Sequence, residues 1–299
     1  MTPPAAEAEE VQGCAVPAAP NQGTTPPRGL RVNTNIASMT AQRYLSQVST
    51  RLQGNYARLS SGLRIATAAD DAAGLGISER MRAQIRSFTV VGRNAQDGVS
   101  LVQTGDGALQ EVSNNLARMR ELAVQAANGT LTTQDRTTLD TEFQELVAEI
   151  DRLATQTKFN GVSLLNGSTA TLDIQVGITA GETITITMPD ATAATLGIDL
   201  LDIATSATAS SALATIDSAI DDVTTGRGGF GAAQNRLTSA IASIASAREA
   251  VAGAESRIRD VDVAAETADL TRNSILQQAA VSVLAQANIQ PQLALSLLN

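Results

Sequence analysis

Apolar residues near the start of the chain recur at steps of three and four positions. The first run comprises Leu45, Val48, Leu52, Tyr56, Leu59 and Leu63. This spacing predicts an amphipathic helix whose apolar residues share one face. The Ser60–Gly62 triplet interrupts the pattern, so we expect a break or linker across about residues 60–70.

The longest apolar stripe follows the predicted linker. Its members are Ile77, Met81, Ile85, Phe88, Val91, Ala95, Val99, Val102, Leu109, Val112, Leu116, Met119, Ala123 and Ala126. The last six alternate steps of three and four, which is heptad spacing. A helix over residues 71–127 would be about 85 Å long, and we expect Gly105 and Gly107 to break it. Such a rod needs partner helices to bury its apolar face.

A third helix and a β-hairpin are predicted next. Thr132 opens a segment with an acidic first turn, as expected at a helix start, and the segment ends at Phe159–Gly161. Its apolar positions are Leu139, Phe143, Leu146, Ile150 and Leu153. Alternation of apolar and polar residues then predicts a hairpin over about residues 170–190. Residues 189–212 are rich in Ala, Thr and Ser and are expected to be irregular.

Helical spacing returns at Leu213 and continues to Val261, with an expected interruption at Gly226–Gly231. A last predicted helix carries Leu276, Ala280, Val283, Leu284 and Ala287, and ends at Pro291. The fold class is therefore mainly α: long antiparallel helices, packed as a coiled-coil-like or bundle-like rod, with a small β-hairpin region. The return helices bring the two ends of the chain together.

Composition excludes several classes of function. The sequence has no His, which removes the commonest general base and metal ligand. Its single cysteine, Cys14, excludes an internal disulfide and a multi-cysteine metal site. The net charge of −9 disfavours non-specific binding to nucleic acid. Since no apolar run reaches 18 residues, no membrane insertion is expected.

Ten distinctive sequence motifs lie towards the two ends of the chain. They are VNTN (32–35), AQRYL (41–45), RLSSGLRI (58–65), DDAAGLGI (70–77), RNAQDGVSLVQTGDGAL (93–109), RMRELAVQAANGT (118–130), EIDRLATQTKFNGVSLL (149–165), GAAQNRL (231–237), SRIRDVDVAAE (256–266) and ILQQAAVSVLAQAN (275–288). In these motifs and in their order, the chain resembles the bacterial flagellins, the subunits of flagellar filaments. The resemblance covers about residues 31–168 and 226–299. Between these blocks there is little room for the outer domains of larger flagellins.

The resemblance implies a layered subunit that polymerises with itself. Residues 30–70 and 256–299 would form an inner domain of paired terminal helices. Residues 71–255 would form a helical wall domain with the hairpin. The family implies export through the flagellar type III apparatus and an extracellular filament. It implies as partners the hook-associated junction and cap proteins and an export chaperone at the C-terminal helix, and it implies no cofactor.

Residues 1–29 depart from the family pattern, because flagellins normally begin close to the VNTN motif. This segment is rich in Pro, Ala, Glu and Gln, which predicts disorder. We expect either a misassigned start, with the true start near Leu30 or Val32, or a genuine tail.

Two groups of residues are candidate binding sites. The assembly group comprises Leu45, Leu52, Leu59, Leu276, Val283 and Leu284. Pattern alone would make these residues ordinary core, whereas the resemblance implies that neighbouring subunits bury them. The second group, Arg118, Leu122 and Glu142, matches the positions that the vertebrate flagellin-sensing Toll-like receptor recognises in the family. Arg118 and Leu122 are four residues apart and would share a helix surface, although the group also fits a solvated face.

Two other functions are alternatives to the filament subunit. A hook–filament junction protein would share the terminal helices but usually matches the wall motifs poorly. An enzyme, such as a flagellin with a protease insert, is disfavoured because the middle of the chain is short and has no His. The pairs Asp70 with Asp71 and Asp260 with Asp262 fit helix-start chemistry better than a catalytic dyad or a cation site. The Gly226–Gly231 segment lacks the Lys–Ser/Thr ending of a phosphate loop.

Overall fold

The computed structural model describes residues 34–296, with side chains as far as residue 289. In this part of the chain there are five helices and four short strands. Their bounds are α1 Ile36–Ser61, α2 Ala72–Ala126, α3 Thr133–Gln156, β1 Lys158–Phe159, β2 Val162–Ser163, β3 Thr171–Gln175, β4 Thr183–Thr187, α4 Ser206–Arg259 and α5 Val263–Ser296. The mainly α fold of long antiparallel helices with a small β region is confirmed. Residues 1–29, on which the extension hypothesis rests, lie outside the described residues.

The chain divides into two compact units. Among the described residues, unit 1 contains residues 34–57 and 264–296, and unit 2 contains residues 58–263. Sequence analysis placed these two boundaries at residues 70 and 256. The difference arises because Gly62–Ile65 pairs with the end of α4: the N–H of Arg64 donates to the Arg259 carbonyl at 2.7 Å, and the N–H of Val261 donates to the Gly62 carbonyl at 3.0 Å.

In unit 2, α2 and α4 pack antiparallel along their length. Arg120 pairs with Asp217 near one end of the contact, and Arg259 pairs with Glu79 near the other. The α2 stripe forms the centre of the core between them, and Leu109, Leu116 and Met119 are fully buried.

The expected break at Gly105 and Gly107 is wrong, because α2 is continuous from Ala72 to Ala126. Gly105 lies against Phe230 of α4, and a Cβ added there would be 2.6 Å from the aromatic ring. The glycine therefore allows a close approach of two helices instead of ending one. Gly107 has open space around it, so nothing in the packing opposes a helix there.

The expected interruption at Gly226–Gly231 is also wrong, since α4 runs unbroken from Ser206 to Arg259. Phe230 within this segment is fully buried, and Arg227 donates to Asp106 of α2 at 2.9 Å. These contacts with α2 stabilise a helix that local propensity alone disfavours.

The remaining elements of unit 2 agree with the sequence in type, except that residues 206–212, which were expected to be irregular, form the start of α4. Thr132 and Asp135 form a capping box at the start of α3. Strands β3 and β4 pair antiparallel at the predicted hairpin, with Leu172 opposite Ile186. A second, smaller hairpin of β1 and β2 turns at Asn160–Gly161, where both residues have positive φ. The segment from Ala191 to Ile203 is not helical, but it buries several apolar side chains over the core.

In unit 1, α1 and α5 pair antiparallel. Asn35 contacts Ala287 near the start of α1, and Asn55 contacts Glu266 near its end. The expected end of the last helix at Pro291 is wrong, because α5 continues to Ser296. Pro291 has no N–H to donate to the carbonyl of Ala287. The Asn35 side-chain amide donates to that carbonyl instead, at 2.7 Å, which satisfies the acceptor that proline leaves open.

Candidate assembly surfaces

The candidate assembly residues differ in exposure. On α1, Leu52 is buried, while Leu45 and Leu59 are half-buried. On α5, Leu276 and Val283 are 43 % and 58 % exposed, and Leu284 is half-buried. The division into units separates Leu59, which falls in unit 2, from the other five. The α5 residues therefore present an apolar surface, whereas Leu52 is already buried in the single chain.

Several side-chain hydrogen bonds join α1 and α5. Asn55, which is 7 % exposed, donates its side-chain amide to Glu266 at 2.5 Å and accepts a bond from Asn273 at 2.8 Å. Seventeen residues earlier, the hydroxyl of Ser38 donates to the side-chain oxygen of Asn288 at 2.7 Å. A buried asparagine bonded across a helix pair favours one register over its alternatives.

Asn55 is a functional candidate that sequence analysis missed. The predicted stripe of α1 used Tyr56, but Tyr56 is 59 % exposed and that assignment is wrong. Asn55 occupies the inward position, three residues after Leu52 and four before Leu59. The spacing alone could have indicated Asn55, because a stripe through Leu45, Val48, Leu52, Asn55 and Leu59 alternates steps of three and four. Asparagine was passed over because it is not an apolar residue.

Large apolar side chains are exposed on both helices of unit 1. On α1 they are Ile36, Met39, Tyr44 and Tyr56, and on α5 they are Ile275, Leu276, Val281, Val283 and Ile289. The buried apolar residues among the described side chains of this unit are Ala41, Leu52 and Ala287. An exposed apolar surface of this kind, bounded by polar residues, is typical of an interface with another protein.

The linker residues of unit 2 are held by short hydrogen bonds. The Arg64 guanidinium donates to the Ile258 carbonyl at 2.5 Å, at the C-terminal end of α4, where a cation is favourable. Asp71 caps the start of α2 by accepting from the N–H groups of Ala73 and Gly74. Asp70 accepts from Thr67 and Ala66, and these bonds, led by the Thr67 N–H, lower the pKa of its carboxyl group.

Three of the four aspartates in these two pairs therefore have structural roles. Asp70 closes the turn before α2, Asp71 is the N-cap of α2, and Asp260 is the C-cap of α4. Within the described residues, no group of three or more His, Cys, Asp or Glu side chains could hold a metal ion. None of the helices in that same part of the chain is long and apolar enough to cross a membrane.

The three candidate receptor residues do not share one surface. Arg118 is half-exposed and donates to Glu142 at 2.7 Å and to Glu121 at 2.9 Å. The Glu142 hydrogen bond is the main cause of the raised pKa of the Arg118 guanidinium. Leu122, in contrast, is fully buried in the core of unit 2, so its expected place on the Arg118 surface is wrong. Leu122 extends the α2 core stripe between Met119 and Ala126.

Comparisons with known proteins match both ends of the chain to the same protein family. Residues 32–170 match the family profile described as the bacterial flagellin N-terminal helical region, and residues 213–298 match the bacterial flagellin C-terminal helical region. The chain is 47 % identical over 269 residues to a flagellin of Halalkalibacterium halodurans, covering 89 % of this chain and 99 % of that protein. It is 40 % identical over 283 residues to the flagellar filament 30.7 kDa core protein of Treponema maltophilum, covering 90 % of this chain and 99 % of that protein.

Among solved structures, the chain resembles a putative flagellar hook-associated protein from Vibrio parahaemolyticus. The TM-score is 0.54 at 16 % identity, covering 64 % of this chain and all of that protein. At that identity the likeness concerns the fold alone, and it does not favour a junction role over a filament role.

Proposed function

The chain belongs to the bacterial flagellin family and is a structural subunit of the flagellar filament, and we propose that neighbouring subunits bury the exposed apolar faces of its unit 1. The protein is not an enzyme. It polymerises with itself, and the filament that it builds is extracellular. The proposal identifies the residues of unit 1 that contact neighbouring subunits, and it states that unit 1 becomes stable on assembly.

The observation that carries the proposal is the imbalance between exposed and buried apolar residues in unit 1. Nine large apolar side chains are exposed on α1 and α5, namely Ile36, Met39, Tyr44, Tyr56, Ile275, Leu276, Val281, Val283 and Ile289, whereas Ala41, Leu52 and Ala287 are buried. Burial of a large apolar side chain stabilises by about 1.5–3 kcal/mol. A helix pair that buries so little of its apolar surface is marginal by itself and gains most from an added partner.

Limited proteolysis of monomer and filament tests this proposal. In the monomer, we expect cleavage to remove both ends and leave a resistant fragment close to residues 58–263. In the filament, we expect α1 and α5 to resist the same protease concentration, since their apolar faces are then buried. A monomer whose ends resist cleavage as well as unit 2 does would contradict folding on assembly. The wild-type filament, identified by electron microscopy, is the reference.

We propose separately that Arg118 and Glu142 contribute to recognition by the vertebrate flagellin-sensing Toll-like receptor. Both side chains are about half exposed and hydrogen-bonded to each other, so they form a fixed polar surface where α2 meets α3. A positioned arginine is a frequent anchor of protein interfaces. Leu122 lies beneath this surface and would act only by supporting α2.

A reporter-cell assay with monomeric protein tests the receptor proposal. Arg118→Ala is expected to weaken the signal about tenfold or more, corresponding to roughly 1.4 kcal/mol or above. Arg152→Ala is the matched control, because Arg152 is equally exposed and also pairs with a glutamate three residues away. Equal signals from both variants would contradict a role of Arg118 in recognition.

We also propose that the chain is secreted through the flagellar type III apparatus, with an export chaperone on α5 and contacts to junction and cap proteins in the filament. The exposed apolar residues of α5 support the chaperone assignment, because they offer a binding face before assembly. Co-purification from the source cytoplasm, with Leu276→Asp as the variant expected to lose the chaperone, tests it. Retention of the chaperone by this variant would contradict the site.

A further inference from the structure

One apolar side chain of unit 2 projects from an otherwise well-packed loop. Leu200 lies between β4 and α4 and is 89 % exposed, while Ile198 and Ile203 on either side are fully buried. The loop is anchored to α3 by two hydrogen bonds: the N–H of Ile203 donates to Asp140 at 2.9 Å, and the Gln144 amide donates to the Leu201 carbonyl at 2.8 Å. Leu200 is therefore an apolar projection on an anchored segment.

We propose that Leu200 inserts into a groove of a second copy of the chain, beside the turn of the β3–β4 hairpin. This hairpin groove has a volume of about 440 Å³ and is lined by Val90 and Val91 of α2, by Ile178 and Ala180 of the turn, and by Arg86. Val90 and Ile178 are 50 % and 38 % exposed, so the groove offers apolar surface that a leucine would cover. The inference rests on the filament function and identifies one contact within it.

Charge distinguishes this groove from two others on the same unit. Asp199 and Asp202 lie on either side of Leu200 in the sequence, and both are exposed. The groove that binds Leu200 should therefore carry positive charge. Arg86 is the charged residue of the hairpin groove, and it makes no ion pair among the described residues. A second groove carries Asp97, which would repel the acidic loop. The third contains Val124 and Arg120, but Arg120 is already paired with Asp217.

The positions of Leu200 and of the hairpin groove on the subunit are suited to an open polymer. Leu200 lies beside Gln144 of α3, near the level where Arg118 of α2 meets Glu142. The groove lies around Val90 of α2, about 28 residues or roughly 42 Å away along that helix. Because the two complementary patches are distinct and separated, each copy can give one contact and accept another. Such a head-to-tail contact continues indefinitely when it does not close into a ring.

Cysteine cross-linking in assembled filaments tests the contact. The variant carries Leu200→Cys and Ile178→Cys in a Cys14→Ser background, and is polymerised on wild-type seeds before mild oxidation. We expect a ladder of disulfide-linked oligomers from filaments, and none from monomer at the same concentration. The control pair, Leu200→Cys with Val124→Cys, places the second thiol in the third groove and should give no ladder. Filaments visible by electron microscopy without a ladder would overturn the contact while leaving the filament function intact.

A second variant tests the Leu200 contact if the cysteine variant fails to polymerise. Leu200→Asp changes an exposed side chain, so circular dichroism of the monomer should be unchanged. Its seeded elongation should fall at least tenfold, and Leu200→Met should elongate close to the wild-type rate. Wild-type elongation by Leu200→Asp, or a ladder from the Val124 control pair, would overturn the proposal.

Discussion

At the residue scale, single side chains determine how closely the helices of unit 2 approach. Gly105 and Gly107 are two positions apart on α2, yet only Gly105 faces Phe230. Sequence alone could not tell these glycines apart, because their difference lies in a residue more than a hundred positions away. The same limit explains why both glycine-rich segments were predicted as breaks.

Substitution of the two glycines by alanine should have opposite effects on stability. Gly105→Ala is expected to destabilise the monomer by about 1–3 kcal/mol, because its Cβ would overlap the buried Phe230 ring. Gly107→Ala, the control, is expected to stabilise it by about 0.5–1 kcal/mol, since alanine is the better helix former and nothing lies within 4 Å. Urea unfolding followed by circular dichroism measures both. A Gly105→Ala protein as stable as Gly107→Ala would refute the close contact.

Asn55 makes a second prediction at this scale, now for unit 1. Asn55→Asp places a carboxylate against the carboxylate of Glu266, which the wild-type amide contacts at 2.5 Å. Losing a hydrogen bond to a charged group costs roughly 1.5–3 kcal/mol, so seeded elongation should slow at least tenfold near pH 7. Two facing carboxylates raise the pKa of one of them, and elongation should therefore recover partly as the pH falls towards 4–5.

The control for Asn55→Asp is Gln53→Glu. It adds the same charge two residues away on an exposed position of α1. We expect this control to elongate at close to the wild-type rate at every pH. If Asn55→Asp and Gln53→Glu behave alike, the buried position of Asn55 is irrelevant to assembly.

At the element scale, periodicity predicted the helices and the hairpin but not all their ends. The α2 stripe from Met81 to Ala126, the β3–β4 alternation and the break after Ser61 were confirmed, whereas Ile77 at the start of the stripe is 39 % exposed. The end of α5 was not, because Pro291 is accommodated by a hydrogen bond from Asn35, a residue at the other end of the sequence. The β1–β2 hairpin was missed because two-residue strands are too short to show alternation.

The α5 helix makes the prediction at this scale. Leu284→Asp places a carboxylate on a half-buried position that we propose neighbouring subunits cover completely. Burial of an unpaired charge costs several kcal/mol, so seeded elongation should stop. Circular dichroism of the monomer should barely change, since unit 2 is untouched. Gln286→Asp, on an exposed position of the same helix, is the control, and equally complete arrest by both variants would argue against a specific face.

At the scale of the whole molecule, the two units differ in how their helices are stabilised. Unit 2 has a continuous apolar core between α2, α3, α4 and the β3–β4 hairpin. Unit 1 joins α1 and α5 through several polar contacts and leaves large apolar side chains exposed. Sequence analysis identified the terminal helices as assembly elements only through the family resemblance. Periodicity could not do so, because a stripe buried by a neighbour and one buried within the chain have the same spacing.

The central claim is that assembly stabilises unit 1. Hydrogen exchange of backbone amides, measured on monomer and on sheared filament at the same pH, tests it most directly. We expect α1 and α5 to exchange at least tenfold more slowly in the filament, and α2 and α4 to be protected in both forms. Equal protection of α1 and α5 in monomer and filament would show that unit 1 is already stable in the single chain, and would contradict the claim.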